Sequence, residues 1–206
     1  MAQTFDRQAR KEQLAEAVWQ VILDKGVGAV SIRTVADQAG VVVGSLRYVF
    51  PTRTELLNFS AELMVARATE RALATPWDDD PQEYAFQVIA QFLPLEPESR
   101  AELEVNLALV GESAAQPALI DIRNHAHEQL RAAFVRLVQL LTGSAEGDGE
   151  TLASARRLHA LVDGLALHLL HTDPTDAQGA EWALVLVRQE IARISAEAER
   201  AARPAP

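Results

Sequence analysis

An all-α chain of about nine helices is the fold class that the sequence predicts, with a small three-helix unit at the N-terminus and a larger helical bundle after it. Two observations carry this. Apolar residues return at steps of three and four along almost the whole chain, and no stretch alternates with period two for long. Turn-forming residues then punctuate that pattern at helix-length intervals, at Gly26, Gly40, Pro51, Pro76, Pro94, Pro97, Pro117 and Pro174.

The first helix is read from about Asp6 to Lys25, with Leu14, Ala17, Val18, Val21 and Ile22 on its buried face and Gly26 as a left-handed stop. Ser31 is a good N-cap for a short helix to about Ala39, which Gly40 ends. A third helix spans about Val43 to Phe50 and stops at Pro51. Thr52 and Glu55, three apart, form a capping box that opens a fourth helix reaching about Leu73. Residues 74–80, with Pro76 and three consecutive aspartates, read as a hinge. Five more helices follow at about 81–93, 98–114, 117–142, 151–171 and 176–201, the last opened by a second capping box from Thr175 to Gln178. The expected division is residues 1–55 as one domain, 52–73 as a connecting helix, and 74–206 as a second domain.

Composition narrows the function. With 206 residues, 49% of them hydrophobic, the chain can bury one or two cores. No apolar run reaches the roughly 18 residues of a membrane span, and MAQTFDRQARKEQ lacks the apolar core of a signal peptide, so a cytoplasmic location without membrane contact is expected. The absence of cysteine excludes disulfides and thiolate chemistry. No nucleophile elbow, P-loop or glycine-rich fingerprint is present, so neither an enzyme nor a cofactor is expected. The net charge of -10 is unevenly spread. Residues 1–55 hold Arg7, Arg10, Lys11, Lys25, Arg33, Arg47 and Arg53 against Asp6, Glu12, Glu16, Asp24, Asp37 and Glu55, a balance of +1. All the excess acid lies beyond them, which leaves the N-terminal part free to approach a polyanion.

Residues 31–50, SIRTVADQAGVVVGSLRYVF, carry the decisive pattern. Ile32, Val35 and Ala36 share one face of a short helix, Gly40 permits a tight turn, Val41 packs beneath it and Leu46 faces inward from the next helix. That arrangement is a helix-turn-helix, with the first helix of the chain as the third wall of its core. Together with Ala36, Ala39-Gly40-Val41, Gly44, Leu46, Tyr48, Phe50, Pro51, Arg53, Glu55, Leu56 and Leu57, the stretch at about 8–57 resembles the tetracycline-repressor (TetR) family of bacterial regulators. LHALVDGLALHLL at 158–170 resembles the choline-responsive, BetI-like subgroup. The resemblance implies a homodimeric, ligand-responsive regulator of transcription, a repressor that leaves a palindromic double-stranded DNA operator when a small molecule binds.

Roles for single residues follow from that reading. Gly44 lets backbone come close to a phosphate, while Ser45 and Arg47 project toward the major groove, Arg47 being the residue assigned to base readout. Tyr48 offers a hydroxyl to phosphate, and Arg33, Thr34 and Arg53 stand at helix starts where phosphates are met. Val42-Val43 replaces the polar cap and basic residue usual in the family, so that either Val43 meets a thymine methyl or the recognition helix begins less firmly. Arg47 and Val49 stand where tyrosine and histidine are usual. A helical ligand-binding protein with weak or lost DNA binding is the alternative that Val42-Val43 favours.

In the second domain, Phe86, Ile89, Phe92, Asn106, Leu109, Val110, Phe134, Leu161, Leu165 and His168 are expected on inward faces around a small-molecule ligand. No metal site is expected, although His168 and His171 share a face three residues apart. Leu158, Leu161, Val162, Leu165 and Leu169 make one apolar stripe, and Leu184, Val187, Ile191 and Ile194 another. Leu167, Leu170, Trp182, Val185 and Leu186 lie on other faces, which predicts a two-fold interface through helices 151–171 and 176–201.

Overall fold

The computed structural model describes residues 2–112, 117–145, 147–173 and 179–202. Among the described residues are nine α-helices, one 3-10 turn and no strand. In order they are α1 (Ala2–Lys25), η1 (Val27–Ala29), α2 (Ile32–Gln38), α3 (Val43–Val49), α4 (Arg53–Leu73), α5 (Pro81–Ala90), α6 (Pro97–Glu112), α7 (Pro117–Thr142), α8 (Gly149–Leu169) and α9 (Glu181–Ala202). The all-α class expected from periodicity is the class observed. The capping box expected at Thr175 to Gln178 lies outside the described residues.

Packing groups the chain into two compact units, Met1–Arg67 with Ala101–Ala126, and Ala68–Arg100 with His127–Pro206. These units are interleaved in sequence, unlike the division drawn at the 74–80 loop, because α4, α6 and α7 each pass from one unit into the other. In the first unit, Leu14, Val18, Val21 and Ile22 of α1 are buried with Val35 and Ala36 of α2, Leu46 of α3 and Leu56 and Leu57 of α4. Val105 and Leu109 of α6 and Leu119 of α7 complete the same core. Trp19 is buried there too, its indole N–H donating to the Ser60 carbonyl at 3.2 Å.

The second unit has α5 and α8 packed against α9. Asp80 caps α5 by accepting from the Gln82 amide at 2.9 Å, with Pro81 in the first helical position, where its missing N–H costs nothing. Asp148 caps α8 through the Thr151 amide at 2.8 Å, and that donor holds its carboxyl below the usual carboxylate range. Arg100, in the first turns of α6, donates to the carbonyls of Leu169 and Leu170 where α8 ends, satisfying acceptors that the helix itself leaves open. Leu158, Val162, Leu165 and Leu169 of α8 are buried, as are Val187, Ile191 and Ile194 of α9.

Candidate nucleic-acid interface

Local chemistry fixes α2 at both ends. At its start, the Ser31 hydroxyl accepts from the Thr34 amide at 3.1 Å while the Thr34 hydroxyl accepts from the Ser31 amide at 2.9 Å. The same Thr34 hydroxyl donates to the Ala29 carbonyl at 2.7 Å, tying α2 to η1. At its end, Gly40 adopts φ 66°, and the Val41 and Gly40 amides donate back to the Ala36 and Asp37 carbonyls at 2.9 and 3.2 Å. This is a Schellman closure, in which the left-handed residue returns the chain across the helix end. Gly26 also has positive φ, at 79°, but its ψ of 163° is extended, so it turns α1 into η1 without the left-handed stop expected.

The following helix, α3, has no such anchoring. Val42 occupies the N-cap with no side-chain hydrogen bond, and only its carbonyl takes part, accepting from the Ser45 amide at 2.9 Å. The helix is held by one face. Leu46 is fully buried, Val43 and Val49 pack half-buried on the core, and Phe50 is buried at the end with its ring 5.3 Å from that of Phe59. Gly44, Ser45, Arg47 and Tyr48 are exposed, Tyr48 at 82%. Neither Arg47 nor Tyr48 has a side-chain hydrogen bond or ion pair among the described residues, and the same is true of exposed Arg33 on α2. A Cβ at Gly44 would meet nothing within 4 Å, so no neighbour among the described residues requires glycine there.

Two of the residues expected to meet phosphate, Thr34 and Arg53, also hold internal hydrogen bonds. Thr34 spends its hydroxyl on the α2 cap. Arg53 donates through Nε to the Val30 carbonyl at 2.9 Å and through Nη2 to the Val27 carbonyl at 3.1 Å and to Glu112 at 3.2 Å. It clamps the start of α4 to the segment that leads into α2, and to the end of α6. The clamp's partners lie far away in sequence and no local motif announces them. The Thr34 bond did have a signal, since Thr34 is three residues after the N-cap serine, the spacing of a capping box. Thr52 and Glu55 form their expected pair in part: the Thr52 hydroxyl accepts from the Glu55 amide at 3.1 Å, but the Glu55 carboxylate bonds that hydroxyl at 3.1 Å.

The residues expected around a ligand divide between the units. Leu109 belongs to the core of the first unit, and Asn106 and Val110 are exposed on α6, not inward. In the second unit, Ile89, Phe134 and Leu165 are buried and Phe86, Phe92 and Leu161 half-buried. Phe92 and Phe134 have ring centroids 6.4 Å apart, and Phe134 stacks on His159 at 4.6 Å. The His159 ring is buried and its Nε2 has no hydrogen-bond partner among the described residues, with Asp163 at 3.5 Å. Burial pushes this imidazole below its usual range, opposed by Asp163 and reinforced by His127. Phe86 borders a shallow cleft of about 400 Å³ with Arg71, Thr75, Gln87 and Gln91, and the Arg188 guanidinium covers its ring at 3.5 Å. His168 is exposed, edge-on to Trp182 at 6.3 Å. Among the described residues, no group of three or more histidine, aspartate or glutamate side chains is placed to hold a metal ion. No helix among them is long and apolar enough to cross a membrane.

Comparison with known proteins agrees with this geometry. Residues 14–58 match the model of bacterial regulatory proteins of the tetR family, and residues 81–196 match that of the C-terminal region of BetI-type transcriptional repressors. The HTH-type transcriptional regulator PksA of Bacillus subtilis is 33% identical over 177 residues, covering 82% of this chain and 83% of that protein. A transcriptional regulator from Rhodococcus sp. Rha1 superposes with a TM-score of 0.76 at 28% identity, over 91% of this chain and 96% of that one. The fold is also that of a Saccharomonospora viridis structure described as a transcriptional regulator in complex with choline, with a TM-score of 0.72 at 23% identity over 90% and 95% of the two chains. The family-model matches to the helix-turn-helix and to the helical region that follows it, with a relative 33% identical over most of both chains, make this chain a member of the TetR family of DNA-binding transcriptional regulators, with a C-terminal region of the BetI type.

Proposed function

We propose that this regulator is a homodimeric repressor, acting in the cytoplasm, that binds a near-palindromic operator through α3 and releases it when a small molecule enters the helical unit formed by residues 68–100 and 127–206. One observation carries the DNA-reading part. The side chains of Ser45, Arg47 and Tyr48 project from α3 without a hydrogen-bond or ion-pair partner among the described residues, while the opposite face of the helix is locked in the core. Arg47 reads a guanine through O6 and N7; Gly44, Tyr48 and Arg33 set the register on the phosphates. Thr34 and Arg53 hold the scaffold that presents them.

The dimer is supported by apolar surface that one chain leaves uncovered on α8 and α9, at Leu167, Trp182, Val185 and Leu186. The ligand region we assign is the aromatic and aliphatic set of the second unit, Phe86, Ile89, Phe92, Phe134, Leu161 and Leu165, without His168, which is exposed and not inward. A ligand acts there only through different affinities for two arrangements of the protein, and α4, continuous from the DNA-reading unit into the second, is the element that would carry the difference.

The test begins with duplexes enriched from a random-sequence pool on the full-length protein. Arg47→Ala should weaken binding to the enriched duplex by roughly fivefold to 150-fold and leave nonspecific binding unchanged. An equal fall in both would make Arg47 a phosphate contact. If the wild type enriches nothing, the chain is a helical ligand-binding protein that does not read DNA. Trp182→Asp should yield monomers in sedimentation, and an unchanged dimer would place the interface elsewhere.

A further inference from the structure

We infer that Val42 reads sequence: its side chain meets the 5-methyl group of a thymine in each operator half-site. The inference rests on the DNA-reading role proposed for α3. Of the two valines at the head of that helix, only Val42 faces outward. It is 74% exposed, whereas Val43 is half-buried and packs on the core.

Neither packing nor helix stability explains a valine at this place. Val42 fills no part of the core, and as N-cap it leaves the first amides of α3 without a side-chain acceptor. Serine, threonine, aspartate or asparagine there would stabilise the helix by about 1 kcal/mol. The neighbouring α2 uses that device in full, so α3 forgoes a stabilisation that its own scaffold demonstrates.

Position supplies the missing reason. Residues at the N-terminal end of a recognition helix approach base edges. Val42 sits one turn before Ser45, whose amide it accepts at 2.9 Å, and beside exposed Gly44, which has no side chain to screen it. Two methyl groups can neither donate nor accept a hydrogen bond, and the apolar feature that base edges present in the major groove is the thymine methyl. The polar residues usual at this place in the family have a different set of partners available.

Replacing each thymine of the enriched duplex in turn by deoxyuridine removes the methyl and nothing else. One position per half-site should cost the wild type about fourfold in affinity, the worth of one buried methyl group. Val42→Ala should bind the unmodified duplex more weakly by a similar factor and be indifferent to deoxyuridine at that position. Val42→Ser should lose the same methyl dependence while melting at a higher temperature, a combination that a purely structural role for Val42 would not produce. If a duplex is enriched but every thymine can lose its methyl without effect, or if the penalty persists in Val42→Ala, the assignment of Val42 falls and that of Arg47 stands. Failure to enrich any duplex removes both.

Discussion

The two helices of the helix-turn-helix have the same length, seven residues each, and are held in opposite ways. At α2, both ends are tied by hydrogen bonds, and Arg53 clamps the chain just before it. At α3, neither the cap nor the outer face is tied, and the helix stays in place because Leu46 and its apolar neighbours are buried. Under the proposed function, the difference separates support from reading. A polar group already bonded within the protein would have to surrender a bond worth about 1 kcal/mol before it could contact DNA. Thr34 and Arg53 are in that position and Ser45, Arg47 and Tyr48 are not.

The comparison breaks most readily through the core. Leu46→Ala should cost about 2–5 kcal/mol in denaturant unfolding, because it removes a fully buried side chain and the principal inward anchor of α3. Operator binding should fall with it. A loss under about 1 kcal/mol would mean that α3 is held by something other than its buried face. Next in size are the devices of α2. Ser31→Ala removes the cap hydroxyl and should cost about 1 kcal/mol, with the melting temperature as the readout. Gly40→Ala forces an alanine to φ 66° and should cost about as much. Val42→Ala, at the equivalent cap of α3, should leave the melting temperature nearly unchanged, since no cap bond exists to lose. Equal losses from Ser31→Ala and Val42→Ala would erase the asymmetry.

How far the sequence could be read follows the range of the interactions. The α7 boundaries, Pro117 and Thr142, coincide with the expected 117–142 because a proline opens the helix and Gly143 closes it. The helix read to 93 ends as α5 at Ala90, because the next three amides bond to carbonyls three residues back and tighten the chain into a turn. Val43, read from the sequence as a thymine-methyl contact, instead packs half-buried on the core; the signal for that was its place three residues before Leu46, itself four before Phe50, both of which are buried. Asn106 was not legible as exposed. As a short exception to the helical period found along the rest of the chain, Ala101, Leu103, Val105, Leu107 and Leu109 alternate along α6, so the sequence defines no single buried stripe there, and the packing that buries Val105 and Leu109 decides the matter. The Arg53 clamp was hidden for a related reason, with partners at Val27, Val30 and Glu112 that no local pattern connects to it.

Gly44→Ala has the smallest expected effect on stability, and it tests the idea of an uncommitted reading face most directly. Gly44 lies in the first turn of α3, its φ is not positive, and an added Cβ would touch nothing within 4 Å. Alanine therefore introduces no clash or backbone strain and restricts the unfolded chain, so the protein should gain up to about 1 kcal/mol. If the glycine is there so that DNA can come close to the backbone, the same methyl group stands between α3 and its operator. The stabilised variant should then bind the enriched duplex more weakly than wild type, in a gel-shift titration run beside the thermal melt. Stability and affinity moving in opposite directions would mean that the glycine serves contact with DNA. If the variant melts higher and binds as well as wild type, the helix does not approach DNA through this turn, and the reading face must be drawn around Arg47 and Tyr48 alone.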